Sequence, residues 1–246
     1  MWTKNKLLLI AVVVFVVLGT LFWLTTQKEE EVFIPDFSEY AAGPERKAAF
    51  FSYFTPIIAE INAEIANERA QIEQACAAEQ TNTGFMQRLA EKYFLKDALG
   101  LEGFCHALLQ RVDRVPASLA LAQAANESAW GTSRFAREGN NYYGQWCFNQ
   151  GCGIVPQGRD ANKTHEVATF ATPKGSVQSY MLNLNRHNAY QELRAIRASL
   201  RSEGIRVTGI ELSYGLSRYS ERGVAYGEEL RDMIRYNKLT DYDTAQ

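Results

Sequence analysis

Apolar positions recur with a helical period along most of this chain. Ile58, Ile61, Ile65, Ile72 and Cys76 are spaced by three, four and seven and so share one helical stripe. Thr55-Pro56 reads as an N-cap followed by Pro at the first helical position, so this helix is expected to be separate from one that opens at Pro44. Asn82 to Gly84 ends it, and further helices are predicted over 85–95 and 102–112. Pro116 opens the next, "PASLALAQAANESAW", in which Leu119, Gln123 and Glu127 fall nearly on one face. Gly131 stops it, and "TSRFAREG" gives a second, short helix with Thr132 as its N-cap. The character changes between Gln145 and Ala171. There "CGIVP" and "THEVATF" carry β-branched and aromatic residues around the polar turn "QGRDANK", the pattern of a small β-hairpin lobe. Helices then return. Thr172-Pro173 caps one, Asn188 with Gln191 makes a capping-box-like start to the next, and "VAYGEELRDMIRYN" is the last. Arg194, Arg197 and Arg201 form a basic helical face, read as solvated surface.

The N-terminal pattern has no period because it is apolar on every side. Leu7 to Leu24 carries no charge over 18 residues, enough at about 1.5 Å each to span a bilayer core. Lys4 and Lys6 precede it and "QKEEE" follows, which places residues 1–6 in the cytoplasm and the body of the protein outside. No small-x-small cleavage site follows, so an uncleaved anchor is favoured over a signal peptide. Residues 25–43 read as a linker, 44–115 as a helical prefix, and 116–240 as the domain that carries the chemistry.

Composition narrows the choices. A net charge of −2 and the lack of a basic, aromatic-interleaved patch give no argument for nucleic acid. Export permits disulfides among the four cysteines. Cys147 and Cys152 bracket a turn-prone "FNQG" and are expected to close a short ring, while Cys76 and Cys105 either pair or stay buried as thiols. There is no C-x-x-C and the three His show no ligand spacing, so neither a metal nor a cofactor is expected.

One stretch stands apart, Ala124 to Phe148. A single acid, Glu127, ends an Ala-rich helix and is followed at once by glycines, an Asn pair and aromatics. "ALAQAANESAWGTSRFA…GNNYYGQW" resembles the signature of the glucosaminidase domain, glycoside hydrolase family 73, which includes many cell-wall autolysins. "VATFATPKGSVQSYMLNLNRHNAYQELR" and "GLSRYSERGVAYGEELRDMIRYN" extend the match. "FFSYFTPIIAEINAEIANER" with "CGIVP…HEVATF" is similar to the membrane-linked Bax-type branch. The resemblance covers roughly Pro44 to Asn237. It implies a mainly α (α+β), lysozyme-like helical domain with a small β-hairpin lobe. It also implies an enzyme acting on peptidoglycan glycan strands, held at the bacterial inner membrane and facing the periplasm.

The chemistry can be argued from the residues. Protonating a glycosidic oxygen near neutral pH needs a carboxyl whose pKa burial has raised. Glu127 has that setting, with alanines beside it and Trp130 to exclude water. Tyr142, Tyr143 and Trp146 are suited to sugar faces, and Asn140 and Asn141 to N-acetyl or hydroxyl groups. An inverting mechanism needs a second carboxylate. The resemblance implies a Glu in the β-lobe, for which this lobe offers Glu166 and Asp160, neither in clean register. Attack by the substrate's own 2-acetamido oxygen needs only one acid, and Tyr219, which resembles the family's Tyr, would orient that group or stabilise developing charge. His165 reads as surface. A lytic transglycosylase and a catalytically weak peptidoglycan-binding protein are the alternatives.

Overall fold

The computed structural model describes residues 33–159, 162–220 and 222–243. The apolar segment 7–24 and Asp160 lie outside these. Among the described residues no helix is long and apolar enough to cross a membrane.

The first element, helix α1, spans Pro44–Ala77 without a break. The expected division at Pro56 does not occur. Proline removes one backbone donor and crowds the preceding turn, but Phe50, Phe51 and Phe54 before it and Ile58, Ile61, Ile65 and Ile72 after it are buried on one continuous stripe. Packing on both sides overrides the local break. Thr55, expected to cap, instead has its Oγ1 buried without a hydrogen-bond partner among the described residues. Helices α2 (Gly84–Lys92) and α3 (Phe104–Arg111) follow, and the Cys76–Cys105 disulfide ties the end of α1 to α3. Closing a loop of sequence separation 29 stabilises by about 3–4 kcal/mol in the chain-entropy account.

The expected prefix and domain share one hydrophobic core, in which Phe50, Phe54, Ile58 and Leu108 lie with Leu119, Leu121, Tyr142, Leu184 and Leu230. The compact unit begins at Pro35. Phe37, expected in a linker, is fully buried and packs against Phe50, Tyr53, Phe54 and Tyr142. A single large ring, set between polar neighbours, draws the stretch 35–43 into the fold.

Helix α4 (Ala117–Ser128) runs through the centre, buried at ten of its twelve positions. Its alanines let neighbouring helices approach closely. Its N-terminus is held from the far end of the chain, where Asp243 accepts from Ser118 N (2.8 Å) and Ser118 Oγ (2.7 Å). Ser133, and not the expected Thr132, caps α5 (Arg134–Gly139) by accepting from Ala136 N. The β-lobe has three short antiparallel strands, β1 (Trp146–Cys147), β2 (Gly153–Ile154) and β3 (Glu166–Ala168), in the order β1-β3-β2. Thr172 caps α6 (Pro173–Arg186) as expected. Before α7 (Gln191–Ser202) the capping side chain is His187 and not Asn188, and a 3-10 turn at Asn188–Tyr190 intervenes. Helices α8 (Gly209–Leu212) and α9 (Val224–Tyr236) complete the unit.

The basic face of α7 is not solvated. Arg197 is 1% exposed, and Arg194 and Arg197 lie against the ends of other helices. The last carbonyls of a helix have no partner within it. Arg197 donates to Gln110 O and Arg111 O at the end of α3, and Arg194 donates to Leu184 O and His187 O at the end of α6. Buried Asp113 balances the charge, paired to Arg201 (2.5 Å) and Arg197 (3.6 Å). Burial pushes Arg197 down to about 10, so it stays charged.

Candidate active site

Glu127 is the next-to-last residue of α4, and the chain turns sharply beyond it. Ala129, Trp130 and Gly131 all have positive φ (51°, 60° and 78°). A left-handed non-glycine residue costs about 1–2 kcal/mol. Ser128 holds the corner: its Oγ donates to Ala124 O (2.6 Å) and accepts from Gly131 N (2.8 Å), while its carbonyl accepts from Ser133 N (2.9 Å). Gly131 is required twice over, by its φ and by the Phe37 ring, which would lie 2.3 Å from an added Cβ.

The corner frees Glu127 from the core. Its side chain is half-buried, and Oε1 accepts from Tyr226 Oη at 2.7 Å. Oε2 faces Gly144, where an added Cβ would lie 3.6 Å from it. Burial raises the carboxyl above the ordinary Glu range, and the Glu229 charge adds to this. The Tyr226 hydrogen bond, the neighbouring Asn126 amide and the Arg222 charge oppose it without cancelling it. Glu229 is itself paired to Arg222 at 2.8 Å.

Tyrosines surround the acid. Tyr219 stacks on Tyr226 (5.3 Å, 9°) and donates to Tyr143 O (3.0 Å); Tyr143 stacks on Tyr180 (3.8 Å, 6°). Burial pushes all four hydroxyls up, so they stay neutral. Buried Gln123, one helical turn before Glu127, bonds Tyr226 (2.9 Å) and Tyr180 (2.5 Å).

Several residues expected on a sugar-binding wall face elsewhere. Trp130 turns away with the left-handed corner, packs on Phe50 and Phe51 of α1, and carries Lys47 Nζ 5.0 Å from its ring centre. Asn140 donates to Phe170 O (3.0 Å) and Ala171 O (3.3 Å). Asn141, 1% exposed, donates to Gln145 O and Ala168 O and accepts from Tyr143 N and Gln145 N. Both amides are therefore spent on backbone groups that shape the loop. Tyr142 lies in the core against Phe54, and Tyr143 is buried with its hydroxyl unpartnered among the described residues. Trp146 is the exception: it is 58% exposed, and its ring stacks on His165 at 4.2 Å. It lies two residues beyond Gly144.

Glu166 is buried and committed. Its two oxygens accept from Gly151 N (3.0 Å) and Gly153 N (2.8 Å), which hold it below the ordinary Glu range. These donors flank Cys152, whose disulfide to Cys147 closes the expected ring. Cys147, Cys152 and Glu166 are the group of potential metal-binding side chains that the described residues bring together. The two sulfurs are joined to each other and offer no thiolate.

Sequence reasoning missed Tyr226, Gln123 and Tyr180. The signal for Gln123 was present: it is an amide midway along an Ala/Leu helix, on the Glu127 face. A buried amide must find partners.

Residues 106–239 match the glucosaminidase family, described as mannosyl-glycoprotein endo-beta-N-acetylglucosaminidase. The chain is 34% identical over 209 residues to Protein bax of Escherichia coli (strain K12), which covers 83% of this chain and 74% of that protein. Among solved structures it is similar to the catalytic domain of the autolysin Auto from Listeria monocytogenes. That match is 17% identical, with a TM-score of 0.46, over 87% of this chain and 100% of the other.

Proposed function

The chain belongs to the glucosaminidase family and is a glycoside hydrolase; we propose that it hydrolyses the β-1,4 bond after N-acetylglucosamine in peptidoglycan, with Glu127 as general acid. The observation that carries this is the placement of Glu127: a half-buried carboxyl with a raised pKa, at the end of a rigid helix and under a loop that presents no side chain at Gly144. Trp146, exposed and two residues beyond Gly144, is proposed to take a sugar face.

The proposed reaction is substrate-assisted. Of the two β-lobe candidates for a base, Glu166 has its oxygens taken by Gly151 and Gly153, and Asp160 lies outside the described residues. In their place the 2-acetamido carbonyl oxygen bonds to C1 as the C1–O bond breaks, and the Glu127 proton passes to the leaving oxygen. Water then opens the oxazolinium at C1, and the Glu127 carboxylate takes the proton the water gives up. Tyr219 is proposed to orient the acetamido group, which requires its hydroxyl to exchange Tyr143 O for the substrate; its ring is part of the stack next to Tyr226.

Residues 7–24 are proposed to anchor the chain in the bacterial inner membrane, with residues 35–243 in the periplasm. Their uncharged run, Lys4 and Lys6 before it, and two closed disulfides in the exported part support this. Protease added to spheroplasts is expected to digest the body of the protein; protection would contradict the orientation.

Mass spectrometry of digested sacculi tests the reaction. Fragments ending in reducing N-acetylglucosamine are expected. A 1,6-anhydromuramyl end would instead make the protein a transglycosylase, and tight binding without fragments would make it a wall-binding protein.

A further inference from the structure

We propose that Gln123 is a positioning residue that, through Tyr226, confines the acidic proton of Glu127 to Oε2, the oxygen facing Gly144. The inference rests on the reading of Glu127 as general acid and goes on to say which of its oxygens delivers the proton.

The argument is a count of protons. A tyrosine hydroxyl has one hydrogen to give, and an amide has a donating and an accepting end. Among the described residues, the hydroxyl of Tyr180 makes a single hydrogen bond, to Gln123 Oε1 at 2.5 Å. That contact fixes the amide with its oxygen toward Tyr180 and its NH2 toward Tyr226. Gln123 Nε2 then donates to Tyr226 Oη at 2.9 Å. With a donor already pointed at its oxygen, Tyr226 must send its own hydrogen to Glu127 Oε1 at 2.7 Å. An acidic hydrogen on Oε1 would confront the Tyr226 hydrogen. The acid therefore carries its proton on Oε2. Reversing the amide would leave the Tyr180 hydrogen without an acceptor and withdraw the donor from Glu127. Both tyrosines are buried and neutral, so neither loses the hydrogen on which the count depends. Gln123 is fully buried on α4 and Tyr226 is stacked on Tyr219, so the chain is held rigidly. The other groups that act on Glu127 are Asn126 on α4, Glu229 on α9 and Arg222 in the segment before α9.

The test is the pH dependence of sacculus digestion by the full-length protein. In parallel, Glu127 is titrated without substrate through its infrared carboxyl band, identified by difference against Glu127→Gln. Tyr226→Phe removes a donor that favours the ionised acid, so the alkaline limb and the infrared midpoint should both move up by about one unit or more. Gln123→Leu and Tyr180→Phe should shift both the same way by less. Combining Gln123→Leu with Tyr226→Phe should move them no further than Tyr226→Phe alone, because Gln123 acts through Tyr226. Unmoved midpoints in Tyr226→Phe, or shifts that add in the double variant, would overturn the proposal. If Glu127→Gln keeps its activity, the general-acid reading fails, and the infrared titration still judges the hydrogen-bond order.

Discussion

Gly131→Ala tests whether the corner after α4 is built as described. The substitution meets two separate penalties. Alanine at φ 78° costs about 1–2 kcal/mol. Its Cβ would lie 2.3 Å from Phe37 Cδ2 and 3.0 Å from two further ring atoms. Phe37 is fully buried among Phe50, Tyr53, Phe54 and Tyr142 and cannot swing clear, so overpacking adds about 1–3 kcal/mol. The total, about 2–5 kcal/mol, corresponds to a melting temperature lower by roughly 5–15 °C in a unit of this size. The two parts separate in a double-mutant cycle with Phe37→Ala. Without the ring, Gly131→Ala should cost only its backbone share, leaving a coupling of about 1–3 kcal/mol. Calorimetry of the four proteins reads this directly. A Gly131→Ala protein melting within about 1 °C of wild type, or one whose penalty is the same without Phe37, would refute the reasoning.

Other consequences concern the site. Tyr143→Phe removes a buried hydroxyl that has no partner among the described residues. It should be neutral or stabilising by up to about 1–3 kcal/mol in urea unfolding, and a large loss of substrate affinity would return Tyr143 to the sugar-binding wall. Glu166→Gln should raise KM while leaving kcat within about tenfold, because it loosens the loop at Gly151 and Gly153; a true general base contributes about 10²–10⁴ in rate. Glu127→Gln should stabilise the protein at neutral pH. The folded carboxyl titrates above its unfolded value, so the folded state holds the extra proton and the wild type loses stability as pH rises between the two pKa values. The gain from Gln should therefore vanish below the ordinary Glu range, where both states of the wild type are protonated, and a gain independent of pH would contradict the cause assigned to the shift.

The acid was legible in the sequence because a lone Glu at the end of an Ala-rich helix has few structural uses, and Pro116 marks where that helix starts; it stops at Ser128, with Ala129 left-handed, and not at the expected Gly131. Its partners were not. Tyr226 lies 99 positions away from Glu127 and Tyr180 lies 57 from Gln123, and no local pattern joins them. Asn140 and Asn141 look like substrate ligands because their amides are strong donors, but those donors go to carbonyls of the turn itself (Gln145) and of the segment in and after β3 (Ala168, Phe170, Ala171). Trp130 failed for a conformational reason: three left-handed residues in succession reverse the direction a helical continuation would give it. Arg194 and Arg197 follow a regular basic spacing that reads as surface, yet they close the ends of α6 and α3. Long side chains can satisfy carbonyls at a distance, and periodicity alone does not report that.

The central claim is that the proton comes from Glu127. The most direct measurement is the rate of fragment release from purified sacculi by wild-type and Glu127→Gln protein, both confirmed folded by melting temperature. The account predicts a loss of about 10²–10⁴-fold with sacculus binding retained; release at the wild-type rate by Glu127→Gln would contradict it.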